Sequence, residues 1–359
     1  MQDHATCART VSRKPRCNLW FGLFVLSSVV MASFACGPAA SATRRPAATT
    51  APTAGPHIGM KLLSVRKIWD KGRHNAFTDL IEFDGRVYCA FREAAGHVSP
   101  DGKIRILVSR DLKTWKSSAL LAMKGMDLRD AKISQTPDGR LMILGGAAPR
   151  KARESVATGS FVSFSKDGAS WTAPKLVGDP KRWIWRITWC GKKGYAVDYS
   201  SGKTALLVTD NGLDYRTLLS PMCPRGTPNE ATLRFAKDGT SYCLQRRRGT
   251  ALIGRARAPY KQWTWRDLGR YVGGPDLIRL PNGTWIGAGR FLKPKTHTAL
   301  FALDVDSGKI GNVLKLPSGG DTSYPGLLLR DDVLWVSYYS SHEGKTSIYL
   351  ARVQIAATR

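Results

Sequence analysis

Arg92, Arg246 and Arg290 each stand seven residues after a turn glycine, at Gly85, Gly239 and Gly283. The same slot after three other turns holds Gly146, Ser201 and Tyr339. Eight or nine residues before these turns stand Asp130, Arg186, Glu230 and Tyr324. If each turn closes a hairpin, both sets return to one end of the fold, because strands rise about 3.3 Å per residue and side chains alternate. Three guanidinium groups at one point repel one another unless an anion is held there. Arginine's planar fork matches a carboxylate or sulfate. The competing reading is a set of ordinary strand-end arginines on a very basic chain.

The elements that must position these residues are legible as a repeat. Apolar runs are interrupted by Asp84-Gly85, Asp138-Gly139, Lys193-Gly194, Asp238-Gly239, Asn282-Gly283 and Asp331-Asp332. Asp-Gly and Asn-Gly between β-rich runs mark tight hairpins, where positive φ is required. The six turns are spaced 44 to 55 residues apart, and no long segment between 60 and 359 has a helical period. Six such units predict an all-β fold, a six-bladed β-propeller of four-stranded antiparallel sheets. A β-sandwich would not explain six repeats.

A second repeat follows in the units' later parts: Ser109-Arg110-Asp111-Leu112-Lys113-Thr114-Trp115, Ser165-Lys166-Asp167-Gly168-Ala169-Ser170-Trp171, and the degenerate Thr209-Asp210-Asn211-Gly212-Leu213-Asp214-Tyr215. These resemble the Asp-box of sialidases and related propellers, one residue shorter than the usual form. The expected physics is a hairpin whose Asp side chain binds turn amides while the aromatic packs between sheets. Such a motif is structural.

The likeness to the sialidase superfamily sharpens at Asn229-Glu230, Asp238-Gly239 and Arg246, and at Tyr324-Pro325-Gly326-Leu327. It spans about residues 60–355. The resemblance implies an exo-glycoside hydrolase that cleaves a terminal acidic sugar, sialic acid first, by a retaining mechanism. Tyr324 would be the nucleophile and Glu230 its base, the known tyrosine exception to the two-carboxylate rule. Arg92, Arg246 and Arg290 would hold the substrate carboxylate, with Arg186 and Tyr339 also lining the site. The family's general-acid aspartate is expected near Arg92, where an arginine stands. Glu93, His97 and Asp130 are the candidates for that role. The alternatives are a carbohydrate-binding propeller without turnover and a hydrolase of uronate or sulfated glycans. The polar, aromatic stretch Ser337–Lys345 suits a substrate rim, His342 and Glu343 are a possible acid–base couple, and His74 and His297 are further candidates.

Formal net charge is +28, with 43% hydrophobic and 23% charged residues, so a globular core is affordable. The basic residues are spread along the chain and accompany no nucleic-acid motif, so nucleic acid is not the expected partner. An acidic glycan or a negatively charged envelope surface suits the charge better. Residues 1–42 read as a signal peptide: Arg9, Arg13, Lys14 and Arg16 precede an apolar run from Leu19 to Ala35. Cleavage after Ala42 would release an exported, periplasmic or extracellular protein with no membrane span. Lipidation at Cys36 is the alternative. Residues 43–56 form an Ala/Pro/Thr-rich linker, and 57–359 the propeller, expected to be a monomer. The four later cysteines contain no Cys-x-x-Cys pair, and the six histidines lack metal-ligand spacing, so no metal or other cofactor is expected.

Overall fold

The computed structural model describes residues 55–149 and 159–356. The expected signal peptide, Cys36 and nearly all of the expected linker lie outside them. Among the described residues, 24 strands form six antiparallel sheets of four. Each sheet is a blade of a propeller. The first strands of the blades, His74–Phe83, Met126–Gln135, Trp183–Cys190, Pro228–Phe235, Gly273–Arg279 and Thr322–Arg330, meet one another around the axis. Their sequences are apolar or buried on both faces, as strands between two neighbours must be. Hydrophobic clusters fill the space between adjacent blades; Ile286, Leu300, Leu327, Leu334 and Val336 form one such layer.

The ring is closed by the first and last of the described strands. Met60–Trp69 is the outer strand of blade six and pairs antiparallel with Ser347–Ile355, from Met60 opposite Ile355 to Trp69 opposite Ile348. Blade six therefore cannot be completed until the first-made strand meets the last-made one.

Five of the six expected turns close the first two strands of their blades. In blade one Phe83 faces Arg86 across Asp84 and Gly85, whose φ angles are 49° and 67°. That pair of positive values is what a two-residue hairpin matched to strand twist needs. In blade three the turn lies elsewhere. Cys190 faces Lys193, so Gly191-Lys192 makes the turn, with Gly191 at φ 57°. The expected Lys193-Gly194 is already strand. A glycine in each place made the two positions indistinguishable by residue type.

The hairpins beginning at Ser109, Ser165 and Thr209 share one hydrogen-bond pattern. Asp111 Oδ1 accepts from the amides of Lys113 and Thr114 at 2.8 and 2.7 Å. Asp167 Oδ1 does so from Ala169 and Ser170 at 2.8 and 2.7 Å. In the third hairpin Asn211 Oδ1 stands in, accepting from Leu213 and Asp214 at 2.8 and 2.9 Å.

Candidate active site

Every first strand carries a β-bulge near the same mouth. Register breaks fall between Ala76 and Asp79, Arg129 and Lys132, Ile184 and Arg186, Pro228 and Ala231, Gly273 and Asp276, and Ser323 and Gly326. The extra residue breaks strict alternation and re-aims side chains, as bulges beside active sites do. The bulge residues include Phe77, Asp130, Trp185, Glu230, Gly274 and Tyr324. Phe77, Asp130 and Tyr324 hold φ of 65°, 51° and 51°, a conformation that costs a non-glycine residue on the order of 1–3 kcal/mol.

Tyr324 and Glu230 meet at the centre. The tyrosine hydroxyl donates to Glu230 Oε1 at 2.6 Å. Arg246 Nη1 donates to the same carboxylate oxygen and, at 3.1 Å, to the tyrosine oxygen. The amide of Gly274 donates to Glu230 Oε2 at 2.8 Å. Gly274 has φ 56°, and a Cβ there would come within 2.7 Å of the Tyr324 ring, so the position serves both the close approach and the backbone. Burial pushes the Glu230 carboxyl up, but Arg246, Tyr324 and the Gly274 amide outweigh it and hold it below its ordinary value. Burial, then the charge of Glu230, pushes Tyr324 well above its ordinary value against the pull of Arg246 and Arg290. The resting pair is thus a neutral phenol hydrogen-bonded to a carboxylate, poised to pass its proton if the tyrosine oxygen attacks.

Arg290 flanks this pair, its guanidinium carbon 5.3 Å from the Tyr324 ring centre. Its Nε donates to the Thr322 carbonyl at 2.7 Å and its Nη2 to the Tyr339 hydroxyl at 2.9 Å. Arg246 and Arg290 are 20% and 17% exposed in their side chains. A guanidinium carries five N–H groups, so these contacts leave each one donors for a ligand. The Tyr339 hydroxyl passes the chain on to Asp321 Oδ1 at 2.9 Å. Asp321 Oδ2 lies 2.9 Å from His74 Nε2 and 2.6 Å from His97 Nδ1. Burial raises the Asp321 carboxyl, but hydrogen bonds from His74, His97 and Tyr339 carry it far below the usual carboxylate range.

Among the described residues, His74, His97 and Asp321 are the three His, Cys, Asp or Glu side chains close enough to share a metal ion. The buried Nδ1 of His74 has no partner to orient it as a ligand, and Arg290 lies 3.9 Å from Asp321. Metal-bound histidines almost always donate their second nitrogen's proton, so these three groups read as a hydrogen-bonded relay.

Other candidates stand elsewhere. Arg92 is 0% exposed. Its Nε binds Asp127 at 3.0 Å, Nη1 the Gly96 carbonyl at 2.8 Å, and Nη2 the Ser99 carbonyl at 2.9 Å. Fully buried, the guanidinium is closed off from a substrate, and the side chain fastens the loop that carries His97. Arg186 lies deeper, bound to Asp79 by two bonds of 3.1 Å and 3.5 Å from Asp276. It staples the channel. Glu93 faces away, held by Trp69 at 2.9 Å and Arg105 at 2.9 Å. For Arg92 and Arg186 the competing ion pair, formed with residues distant in sequence, was not visible; Glu93, expected in a mouth loop with His97, instead lies in the strand Arg86–Ala94. Asp130 does reach the site, buried, its carboxyl raised by burial and by the charge of Glu230. His342 is hydrogen-bonded to Ser340 at 2.9 Å, and Glu343 to Lys67 and Tyr349 at 2.7 and 2.9 Å, so neither joins the Tyr324 cluster. His297 is engaged by the Lys295 carbonyl at 2.6 Å.

Asp321, Phe77 and Arg129 escaped notice in the sequence. Arg129 Nη2 donates to the His97 carbonyl at 3.0 Å and its guanidinium lies 5.6 Å from the Phe77 ring centre. It, and not Arg92, is the basic residue on that side. Asp321 follows Gly319-Gly320 and has the composition of a loop. Its distance of three residues from Tyr324 was the one available signal.

No protein-family model matches the chain, and no curated protein matches it. Solved structures do. A protein of unknown function from Dyadobacter fermentans superposes with a TM-score of 0.74 at 21% identity, covering 83% of this chain and 100% of that one. The α-L-arabinofuranosidase Arb93A of Fusarium graminearum gives 0.66 at 15%, covering 82% and 98%. The NanB sialidase of Streptococcus pneumoniae gives 0.62 at 12%, covering 81% and 70%. At these identities the likeness is one of fold: a sialidase and an arabinofuranosidase share the propeller of this chain.

Proposed function

We propose that this protein is a retaining exo-glycosidase that removes a terminal acidic sugar. The observation that carries the reading is the Tyr324–Glu230–Arg246 contact, a phenol hydroxyl 2.6 Å from an ionised carboxylate at the propeller mouth. Tyr324 attacks the anomeric carbon as its proton passes to Glu230. A neutral nucleophile suits a sugar whose own carboxylate would repel a charged one. Arg246 and Arg290 supply the matching cation pair for that carboxylate. The fold neighbours that hydrolyse glycosides support the reaction class, and the arginine pair favours an anionic sugar over a neutral one.

The test is hydrolysis of fluorogenic α-sialosides and glucuronides by the purified protein and by Tyr324→Phe. Turnover that is lost in the variant, with sugar binding retained, is the expected result. Equal sugar binding by both proteins with no turnover by either would make the site a lectin-like receptor.

A further inference from the structure

We propose that His97, oriented by Asp321, is the general acid of this site. The inference rests on the glycosidase reading above and supplies the proton donor which that reading leaves unassigned. A general acid must carry a proton at the mouth, and a second group must fix its direction. His97 lies in the loop between the strands Arg86–Ala94 and Lys103–Ser109, with its side chain 47% exposed. The loop is pinned on both sides of it. Arg92 donates to the carbonyls of Gly96 and Ser99, and Arg129 to the carbonyl of His97 itself. On the same loop the Asp101 carboxylate accepts from the Ala95 amide at 3.1 Å.

The ring is fixed as firmly. An ionised carboxylate only accepts, so His97 Nδ1 donates to Asp321 and Nε2 is left for an external partner. The His97 ring stands edge-on to Phe77, centres 5.3 Å apart, and Phe77 stands edge-on to Tyr324 at 5.0 Å. The imidazole and the nucleophile are therefore separated by a single phenyl ring. The titratable and charged groups facing His97 are Asp321, His74, whose ring centre is 5.5 Å away, and Arg129. Through Asp321 they extend to Tyr339 and Arg290. The carboxylate that aims the acid is thus coupled to an arginine placed for the substrate's anion.

In the first half-reaction the Tyr324 oxygen bonds to the anomeric carbon and its proton goes to Glu230. The glycosidic C–O bond breaks, its electron pair stays on the leaving oxygen, and that oxygen takes the Nε2 proton of the His97 imidazolium, which is left neutral with its Nδ1–H on Asp321. In the second half His97 takes a proton from water, and the water oxygen bonds to the anomeric carbon. The tyrosyl C–O bond breaks and Tyr324 recovers its proton from Glu230. Glu93 is excluded by its bonds to Trp69 and Arg105, leaving Asp130 as the rival.

The experiment compares the 4-nitrophenyl and methyl glycosides of whichever acidic sugar the wild type hydrolyses, sialic acid first and glucuronic acid next. Only the methyl glycoside needs its leaving group protonated. His97→Ala is expected to lose roughly 10²–10⁴-fold in kcat/KM on the methyl glycoside and far less on the nitrophenyl one, and azide should accelerate the variant on the latter. Asp321→Asn, a positioning change, should show the same selectivity to a smaller degree. Equal losses on both glycosides overturn the assignment, as does selectivity that follows Asp130→Asn instead. Loss of activity in EDTA restored by zinc also overturns it, making the three groups a metal site. Tyr324→Phe should lose both substrates alike and reports on the nucleophile separately. If the wild type hydrolyses no acidic glycoside, both readings fall; if only His97→Ala behaves unselectively, this one falls alone.

Discussion

Gly274 shows how little room the central pair allows. Its amide holds one oxygen of Glu230 while its missing side chain admits the Tyr324 ring. Gly274→Ala would place a methyl carbon against that ring at a φ that L-residues rarely adopt. The tyrosine must then retreat from Glu230. A displacement of about 1 Å at a reacting group can cost on the order of 10²-fold, so kcat is expected to fall by that order with little change in KM. Steady-state kinetics of the variant, with circular dichroism to establish folding, is the check. Arg92 offers the complementary lesson: a guanidinium in the expected slot has no catalytic freedom once Asp127 and two carbonyls have claimed it.

Among the elements, the three equivalent hairpins differ in the group that accepts from the turn amides, a carboxylate in two and a carboxamide in the third. Asp111 and Asp167 are each held at about 2, chiefly by amides of their own turns, against an ordinary 3.8. Because the folded value is depressed, their contribution is complete above about pH 4 and is lost as pH falls through about 2. Asn211 makes the same two amide contacts without a proton to gain. The double variant Asp111→Asn, Asp167→Asn should therefore keep both hairpins at pH 7 and lose less stability than the wild type between pH 4 and 2. Urea unfolding midpoints across that range measure it; parallel curves for the two proteins would refute the hairpin account.

At the scale of the molecule, a charged layer crosses the channel beneath the site. Arg186 of blade three joins Asp79 of blade one and Asp276 of blade five, while Arg234 of blade four binds Asp276 at 2.7 Å. Lys132 of blade two donates to the Thr78 carbonyl at 3.1 Å and lies 5.0 Å from the Trp185 ring centre. Five blades thus meet through groups that water cannot compensate. Arg186→Leu leaves two buried carboxylates short of a partner, and loss of about 3–5 kcal/mol in unfolding free energy is expected. Denaturant titration reads it directly, and a change under about 1 kcal/mol would show the pairs to be no stronger than surface ones.

The sequence by itself determined the blade number, the strand class and the return of four side chains to one end. These follow from local chemistry: turn residues that accept positive φ, alternation, and side chains that bind amides two or three positions on. Tyr324, Glu230, Arg246 and Arg290 were legible because hairpin length alone returns them to the same end. Tertiary structure decided which of the returning groups are free. Arg92, Arg186 and Glu93 are neutralised by Asp127, Asp79 and Arg105, and Asp321 becomes important through His74 and His97, far off in sequence. The closing pairing of Met60–Trp69 with Ser347–Ile355 was equally hidden. An ion pair or a ladder between distant segments has no period or spacing to betray it; it exists only once the ring has brought the partners together.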